Sequence, residues 1–273
     1  MNNVLWSLSD KDKSKTHMFE LINSINSKYN LKYTTYNEIY NWSIDNVSLF
    51  WELMWSELGI IYSEKYNSVL SNEHQMFESN WFEGSKLNFA ENLLRNKNDS
   101  LAIEFYNESG AIKKISYIEL YDLVSKVAHT FKKMGIKKND RVAAVLPNIP
   151  ETVISMLAAS SIGAIWSSCS PDFGYESIFN RFNQINPKIL ITTNGYFFKG
   201  KKYNNFDKID SLAEKINSIE NVIMIDYINE IIDNVKYVSW NDMVNNNYNG
   251  KLDFEQLPFN HPLYIMYSSG TTG

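Results

Sequence analysis

Four short apolar runs alternate with helical patterns across residues 141–227, and this alternation constrains the fold more than any other feature of the chain. The runs read "RVAAVLP" (141–147), "AIWSSCS" (164–170), "KILITT" (188–193) and "NVIMIDY" (221–227). Each is too short for a typical helix and built around an apolar stretch, as a strand covered on both faces is. Between them, "PETVISMLAASSIGA" opens with Pro150 and closes near Gly163, while "YESIFNRFNQI" and "IDSLAEKINSI" carry helical spacing. Asn194-Gly195 is predicted to turn the chain after the third run. Strands alternating with helices predict an α/β fold: a doubly wound, mostly parallel sheet with helices on both faces. Ligands of such sheets bind beyond the carboxyl ends of the strands. The residues to weigh are therefore Pro147-Asn148, Ser170-Pro171-Asp172, Thr193-Asn194-Gly195 and Ser268 onward.

Upstream, "LAIEFY" and "IKKISY" flank the turn signal "NESG" (107–110) and predict a hairpin. Ser116 and Glu119 have capping-box spacing, and Leu120, Leu123, Val124, Val127, Ala128, Phe131 and Met134 trace one helical face that Gly135 ends. The first hundred residues read as helical and irregular. There Val47, Phe50, Trp51, Met54, Trp55 and Leu58 form one stripe, with Asp45 or Ser43 as cap and Gly59 as stop. The two tryptophans on it are read as a buried packing face rather than a ligand box. A turn at Gly84 precedes a short helix from about Asn88 to Arg95. The Asn-rich runs 23–30 and 245–249 read as loops or solvated surface.

Composition narrows the function. With 273 residues, 44% hydrophobic and 21% charged, the chain is ordinary globular material. A net charge of −5 leaves no electrostatic footprint for nucleic acid, and no apolar stretch approaches the length of a membrane span. No secretory signal opens the chain, and the single cysteine, Cys169, builds no disulfide framework. A reducing cytoplasm is the simple reading, with Cys169 as a small core residue rather than a nucleophile.

The chain closes on "PLYIMYSSGTTG", an apolar run followed by six residues made only of Ser, Thr and Gly. Glycines let backbone N–H groups converge and hydroxyls add donors, which together suit a polyphosphate. The alternative is an ordinary turn, since turns use the same residues. A Walker loop needs Gly at position 268, where Ser268 stands; if Gly270 were its first glycine, the deciding residues would follow Gly273. Spacing alone leaves the matter open.

"YSSGTTG" resembles the phosphate-loop signature of the adenylate-forming enzymes, the group of acyl-CoA synthetases, luciferases and peptide-synthetase adenylation domains. The stretch "YNEIYNWSIDNVSLFWELMW" is similar to the segment that precedes the catalytic domain in acetyl-, propionyl- and acetoacetyl-CoA synthetases. "WFEGSKLNFAENLL" and "GAIWSSCSPDFG" resemble acetoacetyl-CoA synthetases most; acetyl-CoA enzymes are expected to carry His where Trp166 stands. The likeness runs from about Tyr36 to Gly273 and implies a helical N-terminal segment over 1–97, then the first part of an AMP-binding domain over 98–273, so the sheet is expected to be incomplete. In family members the loop continues with a residue, Pro and Lys, so the reading frame is expected to continue that way.

The resemblance implies ATP-dependent activation of acetoacetate to acetoacetyl-CoA through an acyl-adenylate, releasing pyrophosphate and then AMP. Acetate or propionate as the acid, or a non-catalytic nucleotide- or CoA-binding module, are the alternatives. It implies that Ser268, Ser269, Gly270, Thr271, Thr272 and Gly273 hold ATP phosphates, with Mg²⁺ alongside to neutralise them. It implies, more loosely, that Lys199, Lys201 and Lys202 meet a phosphate of CoA and that Ser170, Asp172 and Phe173 line its channel. Solvated lysines and turn residues are the alternatives at those positions. Catalytic residues are expected beyond Gly273 and no metal-ligating set is expected within the chain. These 273 residues alone are therefore expected not to turn over, and the bare sheet edge is expected to favour aggregation.

Overall fold

The structure is a computed structural model that describes residues 6–73, 75–108, 110, 112–230, 232 and 236–268. Contacts divide the chain into two units, Met1–Ile60 with Asn67–Glu83, and Ile61–Tyr66 with Gly84–Gly273.

The first unit holds α1 (Asp10–Lys13), α2 (His17–Tyr29), α3 (Tyr36–Asp45), α4 (Val47–Glu57) and an antiparallel pair, β1 (Ser68–Ser71) and β2 (Asn80–Glu83). Thr35 and Glu38 form a capping box at α3, satisfying backbone donors that the first helical turn leaves open. Ile22, Ile25, Ile39, Trp42 and Leu53 make its core. Three expectations fail here. Residues 23–29 are helical, because Ile22 and Ile25 bury one face of an otherwise polar run. Ser43 and Asp45 belong to α3, and Asn46 caps α4 without a side-chain bond. The six-residue stripe is not one face either: Trp51 and Leu58 are exposed. Instead α4 packs on two sides, Leu53 in the helical core and Trp55 against Phe82 with ring centroids 4.6 Å apart. Gly59 does stop the helix, at φ 55°.

The second unit opens with β3 (Lys86–Leu87), α5 (Phe89–Leu93) and the hairpin β4 (Leu101–Tyr106) and β5 (Ile112–Ser116). The Ser116–Glu119 box then starts α6 (Tyr117–Lys133), and Gly135 follows at φ 81°. The predicted alternation comes next: β6 (Arg141–Val145), α7 (Pro150–Ser161), β7 (Ile165–Cys169), α8 (Tyr175–Ile185) and β8 (Ile189–Thr193). A second hairpin, β9 (Gly195–Phe198) with β10 (Lys201–Asn204), precedes α9 (Phe206–Lys215) and β11 (Asn221–Ile225). Short β12 (Val238–Ser239), α10 (Trp240–Val244) and β13 (Leu257–Pro258) complete the elements.

The central sheet is wholly parallel, in the order β12-β11-β8-β6-β7. Its strands are apolar on both sides because each side has its own helices. Val142, Ala144, Ile189, Ile191, Ile223 and Ile225 join the core beneath α6, α7 and α10. The intervening Ala143, Val145, Leu190 and Met224 meet Ile178 and Phe182 of α8 and Ile209 and Leu212 of α9. Helices thus cover both faces, as a doubly wound sheet requires. The order reverses between β6 and β8: α7 carries the chain to β7 on one side, and α8 returns it across to β8 on the other.

Asn194 bends the chain after β8, as expected, but as a buried junction between two sheets rather than a tight turn. Asn194 is fully buried; its amide nitrogen donates to Asp226 Oδ1 (2.7 Å) and its oxygen accepts from the N–H groups of Tyr227 (2.8 Å) and Ile228 (3.1 Å). Gly195 begins β9, where a Cβ would collide with the Tyr203 carbonyl oxygen. The reversal lies at Lys199-Gly200, with φ 50° and 73°, the left-handed pair a tight hairpin needs. Asn194→Ala strands two buried N–H groups and should lower unfolding stability by about 3 kcal/mol. Urea denaturation of the natural protein and the variant checks this, with a loss below the scatter of the fits refuting it.

Candidate functional site

A cleft of about 580 Å³ opens over the carboxyl end of β7. Its position follows from sheet geometry: β7 is an edge strand of the five, and the segment following His261 lies along its free side. The Trp166 N–H donates to the Leu263 carbonyl (3.1 Å) and the Ile265 N–H donates to the Trp166 carbonyl (2.9 Å). The Ser167 hydroxyl adds a bond to the Ile265 carbonyl at 2.9 Å, so this segment runs parallel to β7 as a sixth, lightly tied strand. The apolar run ahead of the terminal loop is therefore strand-like, in the place the alternation implied.

The cleft walls are mainly apolar and aromatic. Trp166, Tyr264, Met266 and Tyr267 come from the two edge strands, Val153 and Met156 from α7, and Phe173 from the loop after β7. Polar groups are few: Thr152, Ser168, Ser170 and the Arg181 guanidinium. Thr152 is committed, its hydroxyl donating to the Pro147 carbonyl at 2.9 Å. The Tyr267 hydroxyl donates to the Arg181 carbonyl at 2.7 Å, tying the last strand to α8. Burial raises the phenol pKa of both Tyr264 and Tyr267, keeping them neutral donors. Apolar walls with a few convergent polar groups suit a small organic ligand.

Cys169 forms part of the cleft wall but is 7% exposed. Burial pushes its thiol up to about 11, and the Arg181 charge offsets only part of that. It is a packing residue, not a nucleophile.

The loop after β7 is held by a residue that sequence reading passed over. The Lys208 ammonium, in the first turn of α9, donates to the carbonyls of Pro171 and Phe173, the latter at 3.2 Å. It also lies 5.9 Å from the Tyr196 ring centroid in β9. Burial lowers its pKa, and the Asp172 carboxylate opposes that. Of the sequence candidates, Ser170 and Phe173 line the cleft, whereas Asp172 faces Lys208 and Tyr196. Lys199, Lys201 and Lys202 stand apart, on the β9–β10 hairpin. Lys199 and Gly200 at its tip give their backbone N–H groups to the Glu108 carboxylate (3.2 and 2.9 Å), and the Lys202 ammonium donates to the Ile228 carbonyl at 2.8 Å. Ser268 follows Tyr267 and is exposed. Ser269, Gly270, Thr271, Thr272 and Gly273 lie outside the described residues. Among the described residues no His, Cys, Asp and Glu cluster could hold a metal ion, and no helix is long and apolar enough to cross a membrane.

With this geometry in hand, comparison with known proteins is decisive. The AMP-binding enzyme family description matches residues 89–273, well over half of the chain. The chain belongs to the AMP-binding enzyme family. A second description, the acetyl-coenzyme A synthetase N-terminus, matches residues 36–93. The chain is 42% identical over 99% of its length to the acetoacetyl-CoA synthetase of Xenopus tropicalis, and 38% identical over 99% to that of Gallus gallus. In both cases it spans 42% of the relative's own length. The solved acetoacetyl-CoA synthetase from Streptomyces lividans superposes with a TM-score of 0.93 at 29% identity, covering all of this chain and 42% of that one. Within this AMP-binding family fold, the doubly wound sheet and the helical N-terminal region expected from sequence are both present.

The Cys169 environment has a direct chemical consequence. With its thiol at about 11, only about one molecule in a thousand is ionised at pH 8. Iodoacetamide labelling followed by mass spectrometry should leave native Cys169 unmodified under conditions that label it fully in urea. Rapid native labelling would contradict the burial.

Proposed function

We propose that this chain supplies the front part of an acid–thiol ligase that activates acetoacetate with ATP and transfers the acyl group to CoA. The observation that carries the reading is the 42% identity, sustained over 99% of the chain, to an acetoacetyl-CoA synthetase. Residues 1–97 then form the segment preceding the nucleotide-binding domain, and 98–273 the first part of that domain.

The division of labour follows from the chemistry. Attack of a carboxylate on the α-phosphate builds negative charge on phosphoryl oxygens, so positioning and electrostatic stabilisation are what a protein must supply. Ser268, Ser269, Gly270, Thr271, Thr272 and Gly273 take the ATP phosphates through backbone N–H groups and hydroxyls. The Tyr267 bond to α8 supports this assignment by fixing where the loop leaves its strand. Mg²⁺ accompanies the triphosphate and neutralises part of its charge. Lys199, Lys201 and Lys202 offer positive charge to CoA from the hairpin, while Ser170 and Phe173 shape the cleft and Asp172 sets the Lys208 contact behind it. A cytoplasmic setting accords with the reduced, buried Cys169.

The test is pyrophosphate release by the intact natural protein given ATP, Mg²⁺, CoA and one acid at a time. Acetoacetate should drive release and AMP formation well above acetate or propionate. A clear preference for acetate overturns the acid assignment, and no release with any acid overturns the ligase reading in favour of a nucleotide- or CoA-binding module.

A further inference from the structure

Among the described residues, most of the Arg181 guanidinium has no hydrogen-bond partner. Its Nη1 group donates to the Ser177 carbonyl (2.7 Å) and to the Ser177 hydroxyl, one turn back on α8. Among the described residues no carboxylate stands within ion-pair distance of it, and its Nε and Nη2 groups donate to nothing. Other cations flanking the sheet are differently placed. Lys188 meets Asp140 at 3.0 Å, Lys236 meets Asp210 at 2.6 Å, and Lys208 donates to two backbone carbonyls.

Arg181 is nevertheless held firmly. The Phe173 and Tyr267 ring centroids lie 5.2 and 5.5 Å from its guanidinium carbon. Aromatic faces fix the orientation of the cation and thin the water around it without cancelling its charge. A partly dehydrated cation with free donors is unfavourable unless something anionic completes it. This one stands on the cleft wall. Two exposed hydroxyls stand beside it: Ser168 and Ser170 line the same cleft and make no hydrogen bond among the described residues.

We infer that the cleft is an anion-recognising subsite, in which Arg181 with Ser168 and Ser170 takes the carboxylate or phosphate of a ligand whose body packs on Trp166 and Tyr264. The flat guanidinium fork matches either group through paired N–H···O bonds, which an ammonium does not reproduce. The inference rests on the proposed ligase reading for its candidate ligands, which are the carboxylate of the acid substrate and the phosphates of ATP-derived pyrophosphate or CoA.

The experiment compares the intact natural protein with Arg181→Gln, Arg181→Lys and Ser170→Ala. Calorimetric titrations use acetoacetate, pyrophosphate and CoA, with methyl acetoacetate and pantetheine as uncharged counterparts. Binding of one of the three anions should weaken about tenfold or more in Arg181→Gln, and less in Arg181→Lys and Ser170→Ala. The uncharged counterparts should bind equally to all four proteins. The anion affected identifies the source of the charge. The proposal fails if no anion binds the natural protein, if all bind Arg181→Gln undiminished, or if charged and uncharged ligands weaken alike, as a merely structural role would have it. Should Arg181→Gln not fold, Arg181→Lys and Ser170→Ala read the same contrast. Pyrophosphate release by the natural protein is scored separately: anion binding that depends on residue 181 without release sinks the ligase reading and leaves the subsite standing.

Discussion

Everything in the second unit depends on a sheet buried from both sides. A parallel strand returns to its start only through a crossover, and crossovers on alternate faces leave few strand residues facing water. That is why β6 and β8 are buried at nearly every position and why neighbouring residues serve two different cores. It is also why the chemistry gathers at one end. Within the layer the polar side chains are small hydroxyls, Ser167, Thr192 and Thr193 among them, while others gather in the loops above the strand ends, where Ser170, Asn194 and the terminal segment are found.

Those loops are not loosely attached. Each is pinned by one polar side chain acting on backbone groups: the buried Asn194 on the loop after β11, the half-buried Lys208 on the loop after β7, and the exposed Glu108 on the tip of the β9–β10 hairpin. The pattern is economical, since one side chain satisfies two backbone groups that a tight loop leaves open. Arg181 departs from it, meeting Phe173 and Tyr267 through aromatic contacts while most of its own donors find no partner among the described residues.

What was legible in the sequence was local. The Ser116–Glu119 box, Pro150 at the first turn of α7, the β4–β5 hairpin and the strand–helix alternation are each encoded within a few residues, and the structure contains all of them. Misreadings came where a short signal serves a distant partner. Asn194-Gly195 has turn composition, yet its asparagine is recruited by residues more than thirty positions later, and its glycine admits the backbone of β10. The stripe on α4 failed because two separate surfaces share one helix. At the candidate site, Ser170 and Phe173 could be found from the strand-end rule. Arg181 and Lys208 could not, because a lone cation on an amphipathic helix looks like solvated surface until Tyr267, 86 residues away, or the loop after β7 is seen against it. The two-residue strands β12 and β13 carry too few residues for any periodicity to register.

The sixth strand has a consequence for synthesis. The Ser167 hydroxyl and the Ile265 carbonyl are 98 residues apart, and among the described residues no nearer segment pairs with that side of β7. At ordinary translation speeds the ribosome needs about 5–20 s to make up that separation. Throughout that interval the nascent chain carries Trp166 on an open β-edge, the kind of surface that chaperones occupy and neighbouring chains on a polysome could borrow. Elongation rate over the stretch between β7 and Tyr264 thus sets how long that edge stands open, and slow codons there would lengthen the exposure.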